Sequence, residues 1–360
     1  MIVSAYVFAD GVEFAPEAIG AAAQALRAGK LIGLPTETVY GLGADADNAT
    51  AVAAIFEAKG RPSDHPLIVH VAAFDGGMSG VAHYAGRVPS FAQQLMSAFW
   101  PGPLTLILPR RDGVGAIAAG GQNTIGLRCP AHPVAQAVLT ALRQPTEGEP
   151  VVWGVAAPSA NRFGRVSPTT AQHVASEFAD TPDLLILDGG PCEVGIESTI
   201  IDCTRGAPVL LRPGAITSEQ VAAACGRALI SPEELEAQGQ SAPRASGTLE
   251  SHYAPNATVR LMDAKALQQA LDLLGTDVDK SAGPGKTIAI YSRVPLKTSA
   301  RQIELRRMPT DAAVAAHELF SVLRELDALR VKLIWVETPP DTVAWDGVRD
   351  RLTRAATPTR

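Results

Sequence analysis

The sequence predicts an α/β protein of two domains. Three observations carry that prediction. A chain of 360 residues exceeds one typical domain. Short apolar strands alternate with helical patterns along its whole length. Between residues 231 and 256 the composition turns polar and rich in Ser, Gly, Pro and Gln, after which the alternation resumes. Residues 1–226 are therefore expected to form one domain, 227–256 a linker, and 257–360 a smaller, open-sheet α/β domain of Rossmann type.

Each element follows from a local pattern. Pro16 to Ala28 reads as a helix ended by Gly29, and Asn48 to Lys59 as a second, stopped by Gly60 and Pro62. Helices are also expected near Pro89–Phe99, Pro133–Leu142 and Pro168–Phe178, and Thr217 with Gln220 forms a capping box that opens another. Strands are expected at Leu31–Leu34, Leu67–Val71, Leu104–Leu108, Thr124–Arg128, Val151–Ala156, Leu184–Asp188, Ser198–Cys203 and Val209–Arg212. Beyond the linker, Thr258–Met262, Thr287–Tyr291 and Val331–Glu337 read as strands. Ala264–Leu274, Asp311–Leu329 and Val343–Ala355 read as helices.

Apolar residues make up 46% and charged residues 19%, enough for a buried core in each part. No apolar run approaches a membrane span, and no basic segment followed by an apolar core opens the chain, so a cytoplasmic protein is expected. Net charge −6 argues against broad attraction to nucleic acid or membrane. Any anion site must then be a local concentration of positive charge. Cys129, Cys192, Cys203 and Cys225 are far apart, without Cys-x-x-Cys pairing, which favours reduced buried thiols over zinc or disulfides.

Some polar groups stand where periodicity expects apolar ones. The stripe Val52, Ile55, Phe56 leads to Lys59, which is either a cation aimed inward or one snorkelling at a helix end. On Thr124–Arg128, Ile125 and Leu127 share one face, so Thr124, Gly126 and Arg128 share the other. That face suits an anionic ligand, or else faces water at a sheet edge. Glu197-Ser198-Thr199 places hydroxyls at a strand start, and Arg212 closes Val209-Leu210-Leu211. Lys59, Arg61, Arg128 and Arg212 together would suit a triphosphate beside an amino-acid carboxylate. Other motifs fail. Gly41-Leu42-Gly43 follows a polar run rather than a strand, and Gly285-Lys286-Thr287 has Lys280 where a P-loop needs glycine. No nucleophile motif and no metal cage is evident.

Taken together, the segments resemble the YrdC family. They run Leu34-Pro35-Thr36-Glu37-Thr38-Val39-Tyr40-Gly41, Lys59-Gly60-Arg61-Pro62 and Pro66-Leu67-Ile68-Val69-His70. In family order follow Trp100-Pro101-Gly102-Pro103-Leu104-Thr105, Ala157-Pro158-Ser159-Ala160-Asn161, Ser167-Pro168-Thr169, Glu197-Ser198-Thr199 and Leu211-Arg212-Pro213-Gly214. The motif His252-Tyr253-Ala254-Pro255 and the domain after it are similar to the longer, two-domain form. The resemblance implies a twisted mixed sheet with a concave, positively charged cavity. It implies a nucleotidyltransferase that joins L-threonine, bicarbonate and ATP into threonylcarbamoyl-adenylate with release of pyrophosphate, the first step of threonylcarbamoyladenosine formation in tRNA. Thr38, His70, Arg128 and Ser198 match threonine-holding positions. Lys59 and Arg61 match catalytic ones, and Arg61, His65, Thr124, Ser159, Asn161, Ser167, Arg212 and Tyr253 match those around the nucleotide. Structural alternatives remain: Ser167 before Pro168 is also a good helix cap, Asn161 a turn residue and His70 a core histidine.

In the implied reaction the nucleophile is the substrate's own carbamate, so no protein nucleophile is required. Cations placed around the phosphates suffice, with Mg2+ carried on ATP. The linker bearing His252 and Tyr253 is expected to act as a lid over labile intermediates. The residues before it, Ala245 to Ser251, depart from the family pattern. The expected partners are ATP, L-threonine and bicarbonate, with a downstream tRNA threonylcarbamoyl-transferase and at most a weak RNA contact. An RNA-binding module, a carbamoyl-adenylate step in hydrogenase maturation and a ligand-binding C-terminal domain are the competing readings. The acidic charge and the missing zinc-finger cysteine pairs weigh against the first two, and no residue supports the third.

Overall fold

The computed structural model describes residues 1–8, 12–237, 239–248, 252–280 and 285–357. It divides into two compact units, one of residues 1–163 with 167–248, the other of 164–166 with 249–360.

The first unit carries a ten-stranded mixed sheet. Its order is Ile2–Ser4, Leu185–Asp188, Ile32–Leu34, Gly41–Asp45, Val155–Ala156, Ile68–His70, Thr124–Arg128, Leu104–Pro109, Thr199–Asp202 and Val209–Arg212. The helix Pro16–Arg27 starts with proline at its first turn and Glu17 near its positive end. Its stripe of Ile19, Ala22, Ala23 and Leu26 joins Val138 and Leu139 of the helix Pro133–Arg143 in one apolar cluster. The helix Ala49–Lys59 is capped by the Asn48 side chain, which accepts from Ala51 N, and ends at Gly60 with φ 63°. Val52, Ile55 and Phe56 lie in the largest cluster, with Leu104, Leu106, Leu108, Ile125, Leu127 and Ile201.

That set fixes what the other sheet face holds. Strand residues alternate, so Thr105 and Ile107, Thr124, Gly126 and Arg128, and Ile68 and His70 share the opposite face. Register agrees: Thr105 pairs with Arg128 and with Ile200, and Ile68 and His70 pair with Gly126 and Arg128. An irregularity between Ile200 and Ile201 sets Leu210 opposite Ile201 but Arg212 opposite Ile200. Cross-strand partners share a face, so the irregularity turns Arg212 toward the site, where strict alternation from Leu210 would send it into the core.

The second unit has a four-stranded, wholly parallel sheet in the order Thr258–Met262, Leu333–Glu337, Ile288–Ser292, Ile303–Arg307. The helices Ala264–Leu274 and Ala312–Ala328 are capped by Asp263 and Asp311. Leu267, Leu271, Ile288, Ile290 and Trp335 form its core. No helix among the described residues is long and apolar enough to cross a membrane, and the four cysteines are buried free thiols.

Several boundaries differ from expectation. The helix expected from Pro168 begins at Ala171, capped by Thr170, because Ser167 turns to another partner. The strand expected over 151–156 pairs only at Val155–Ala156. The stretch expected as a linker contains a helix, Pro232–Ala237, anchored by buried Leu235. Residues as far as 248 group with the first unit, and Leu249, Glu250 and Ser251 lie outside the described residues. Gly41–Asp45 is a strand despite its glycines. At Gly41 a Cβ would lie 2.9 Å from that of Ala157, so the glycine permits the close approach of Ala157–Ser159.

Candidate active site

Most of the residues picked out by sequence meet on the site-bearing face of the first unit. At one end Arg128 is buried at the finish of its strand. Its Nη1 donates to Thr38 Oγ1 at 2.7 Å, its Nε to the Gly102 carbonyl at 3.2 Å, and its Nη2 lies 2.6 Å from Glu37 Oε1. Thr38 Oγ1 also lies 2.9 Å from Thr36 Oγ1, which fixes the turn Thr36–Val39. Burial alone would raise the Glu37 carboxyl, but Arg128 holds it below the ordinary carboxylate range, so the pair is charged. Two of the five guanidinium N–H groups are hydrogen-bonded, Nη2 faces Glu37 as an ion pair, and the remaining donors can meet a substrate carboxylate.

His70 neighbours Arg128 across the ladder. Burial, then the Arg128 charge, pushes its pKa down to about 3, so the ring is neutral at any working pH. Its Nδ1 is buried with no hydrogen-bond partner among the described residues. A neutral ring with an orphaned nitrogen suits a polar ligand atom better than a packed core does.

At the other end, Arg212 donates from Nε and Nη2 to the Ser198 carbonyl at 3.0 and 2.9 Å, and from Nη2 to Ser198 Oγ at 3.1 Å. Ser198 Oγ lies 2.7 Å from Thr105 Oγ1. Arg212 Nη1 donates to the Ser246 carbonyl at 2.8 Å, and Arg61 Nη2 reaches Ser246 Oγ at 3.4 Å and the Pro66 carbonyl at 2.9 Å. On the same face a cleft is floored by Thr105, Thr124 and Gly126, with Ser246 on its wall.

Lys59 does not snorkel. It is 3% exposed, and Nζ donates to the Ser159 carbonyl at 2.6 Å and to the Asn161 carbonyl. Burial, then neighbouring Arg61, holds its proton affinity well below that of an ordinary lysine, with Glu177 and Glu197 opposing. Ser159 and Asn161 therefore meet Lys59 through main-chain oxygens, while Asn161 Nδ2 donates to the Arg162 carbonyl. Ser167 Oγ donates to Glu197 Oε1 at 2.5 Å, which is why it is not the helix cap.

Two further predicted residues have other surroundings within their own units. His65 is partly exposed, its ring edge-on to Phe163 at 5.8 Å, with its pKa lowered by burial and then by Arg61. Tyr253 belongs to the second unit. It is buried at φ 63°, 5.4 Å from the Phe320 ring and 5.6 Å from the Arg351 guanidinium, with His252 against it. Among the described residues no group of three or more His, Cys, Asp or Glu could hold a metal ion.

Sequence reasoning missed three participants: Glu37, Thr105 and Glu197. Thr105 carried a readable signal, as the one polar residue in Leu104-Thr105-Leu106-Ile107-Leu108. Glu37 and Glu197 lay inside quoted motifs, but nothing in one strand's pattern reveals a partner on another.

A protein-family model described as "Telomere recombination" (Sua5, YciO and YrdC) matches residues 24–214, and one described as "Threonylcarbamoyl-AMP synthase, C-terminal domain" matches 216–357. The chain belongs to the Sua5/YciO/YrdC family. It is 38% identical over 349 residues to the threonylcarbamoyl-AMP synthase of Bacillus subtilis, covering 94% of this chain and 92% of that one. It is 36% identical over 338 residues to the Pyrococcus abyssi enzyme of the same name, covering 93% of each. The crystal structure of P. abyssi Sua5 complexed with L-threonine matches with TM-score 0.81 at 33% identity, covering 99% of this chain and 97% of that one. Membership in the family thus extends through both units.

Proposed function

We propose that this chain is a nucleotidyltransferase that forms threonylcarbamoyl-AMP from L-threonine, bicarbonate and ATP, releasing pyrophosphate, as the first step of tRNA threonylcarbamoyladenosine formation. The observation that carries this reading is one buried run of cations and hydroxyls along one sheet face, from Arg128 to Arg212, in a chain of relatives bearing that name.

Threonine's amine captures bicarbonate-derived carbon dioxide as a carbamate. A carbamate oxygen attacks the α-phosphorus, the bond from that phosphorus to the bridging oxygen breaks, and pyrophosphate leaves with the electron pair. Arg128 takes the threonine carboxylate. Thr38, His70 and Ser198 orient the rest of the amino acid, His70 as a neutral imidazole. Arg212, Arg61 and Lys59 balance charge on the phosphates, most strongly where it grows during transfer. Thr124 and Ser159 border the nucleotide, and Asn161 and Ser167 hold the loop that carries Lys59's acceptors. Magnesium would come bound to the phosphates, with water completing its shell. A dry, fixed site protects the labile carbamate. The product is consumed by a tRNA-modifying transferase.

The test is incubation of the full chain with ATP, Mg2+, isotopically labelled bicarbonate and L-threonine. Pyrophosphate release requiring both co-substrates, and an adenylate carrying the label by mass spectrometry, are expected. Serine run in parallel gauges the pocket's use of the threonine methyl. Pyrophosphate release independent of the amino acid would overturn the reading.

A further inference from the structure

Residues 244–246 run beside the cleft without helix or strand pairing of their own. Ala245 packs on the small apolar cluster of Ile68, Ile107 and Ile200. Ser246 meets Arg212 and Arg61 as described. The outer end of this segment is held by Gln122. Arg244 N donates to Gln122 Oε1 at 2.9 Å, and Gln122 Nε2 donates back to the Arg244 carbonyl at 3.1 Å. The reciprocal pair imitates a rung of an antiparallel ladder, made by a side chain instead of a strand.

Gln122 is itself well placed for this. It stands two residues before the strand Thr124–Arg128, and its carbonyl accepts from Arg110 Nε at 3.0 Å. Arg110 Nη1 in turn donates to the Val114 carbonyl at 2.9 Å. A second contact joins the Arg244 guanidinium to Asp64 at 2.5 Å, but both side chains are more than half exposed. Such a pair is screened by solvent and adds little.

We propose that Gln122 is a positioning residue for the nucleotide, fixing residues 244–246 as a preformed wall of the ATP cleft. This rests on the proposed function, because it takes the cleft lined by Thr105, Thr124, Gly126 and Ser246 as the nucleotide's place. A segment left loose would be ordered only when ATP arrives, and that ordering would be lost from affinity. The chemistry at Arg128 and Thr38 lies elsewhere on the sheet and is untouched. Gln122 therefore acts first on ATP binding through Arg244–Ser246, and reaches threonine only through Arg212 and Ser198.

The experiment compares the full chain with Gln122→Ala, Gln122→Glu and Asp64→Asn. Three readouts are taken: amide exchange over residues 244–246, ATP affinity by titration without turnover, and steady-state kinetics. For Gln122→Ala we expect faster exchange, a Kd and KM for ATP raised roughly 5- to 20-fold, and kcat within about two-fold of the parent. The KM for threonine should move by less than that for ATP. Gln122→Glu, which keeps the acceptor for the Arg244 amide, should recover part of the affinity, and Asp64→Asn should change it by less than about two-fold. Unchanged exchange, or faster exchange with unchanged ATP affinity, would overturn the proposal. If the affinity shift appears but the parent releases no pyrophosphate with threonine, the wall stands and the reaction assignment falls.

Discussion

The two ends of the site are built differently. Around Arg128, charge already meets charge: the guanidinium faces the Glu37 carboxylate and is fixed by Thr38 and Gly102. Around Arg212 and Arg61, the partners include neutral groups, a backbone carbonyl and a hydroxyl from Ser246. A neutral acceptor leaves the guanidinium charge to act on phosphate oxygens, whereas a buried carboxylate stays paired when a small ligand binds. The first end is a rigid socket for an amino acid. The second is a set of donors held ready for a larger anion.

The largest expected effect tests that rigidity. Arg128→Ala strands a buried carboxylate, so unfolding by urea should show a loss of about 3–5 kcal/mol. Adding Glu37→Gln should recover much of that loss without restoring threonine binding. If the double variant were no more stable than the single one, the ion pair would not be what organises this end.

At the other end Arg212→Ala should leave the fold largely intact. Its kcat/KM for ATP should fall by about 100- to 1000-fold, the range for deleting one donor to a developing charge. A similar loss of stability at both ends would erase the contrast.

Acid unfolding sharpens it further. His70 titrates near 6.5 when unfolded and at about 3 when folded, so below pH 6.5 the unfolded chain binds a proton that the folded chain does not. Stability should therefore fall by about 1.4 kcal/mol per pH unit as pH drops, levelling below pH 3. Glu37, whose folded pKa is lowered, adds a loss in the same direction as pH falls through that value. His70→Gln should flatten the first contribution, measured by denaturation midpoints between pH 7 and 4.

The smallest expected effect concerns Lys59. Its proton affinity is depressed by burial and by Arg61, so kcat/KM for ATP should decline on the alkaline side well before an ordinary lysine would titrate. Lys59→Arg should move that limb to higher pH, at some cost in rate.

How legible was this in the sequence? The faces of Thr124–Arg128 followed from periodicity, because alternation is a local property, whereas for Lys59 the helical repeat left an inward cation and a snorkelling one both open. Arg212 was legible only as a cation at a strand end. Its direction depends on the irregularity opposite Ile200, which no single strand reveals. Ser167 shows the converse: its neighbour Pro168 imitates a helix start, but Glu197, thirty residues on, captures the hydroxyl and passes the cap to Thr170. Residues 244–246 lacked any pattern because their order comes from Gln122, Arg212 and Arg61 and not from themselves. Polar composition between 231 and 256 looked like a linker for the same reason.

A crystal structure of the full chain with L-threonine and a non-hydrolysable ATP analogue tests the central claim most directly. The account predicts the threonine carboxylate on Arg128 beside an intact Glu37 pair, and the triphosphate on Arg212, Arg61 and Lys59 along the wall formed by residues 244–246. Threonine or triphosphate bound away from these groups would contradict it.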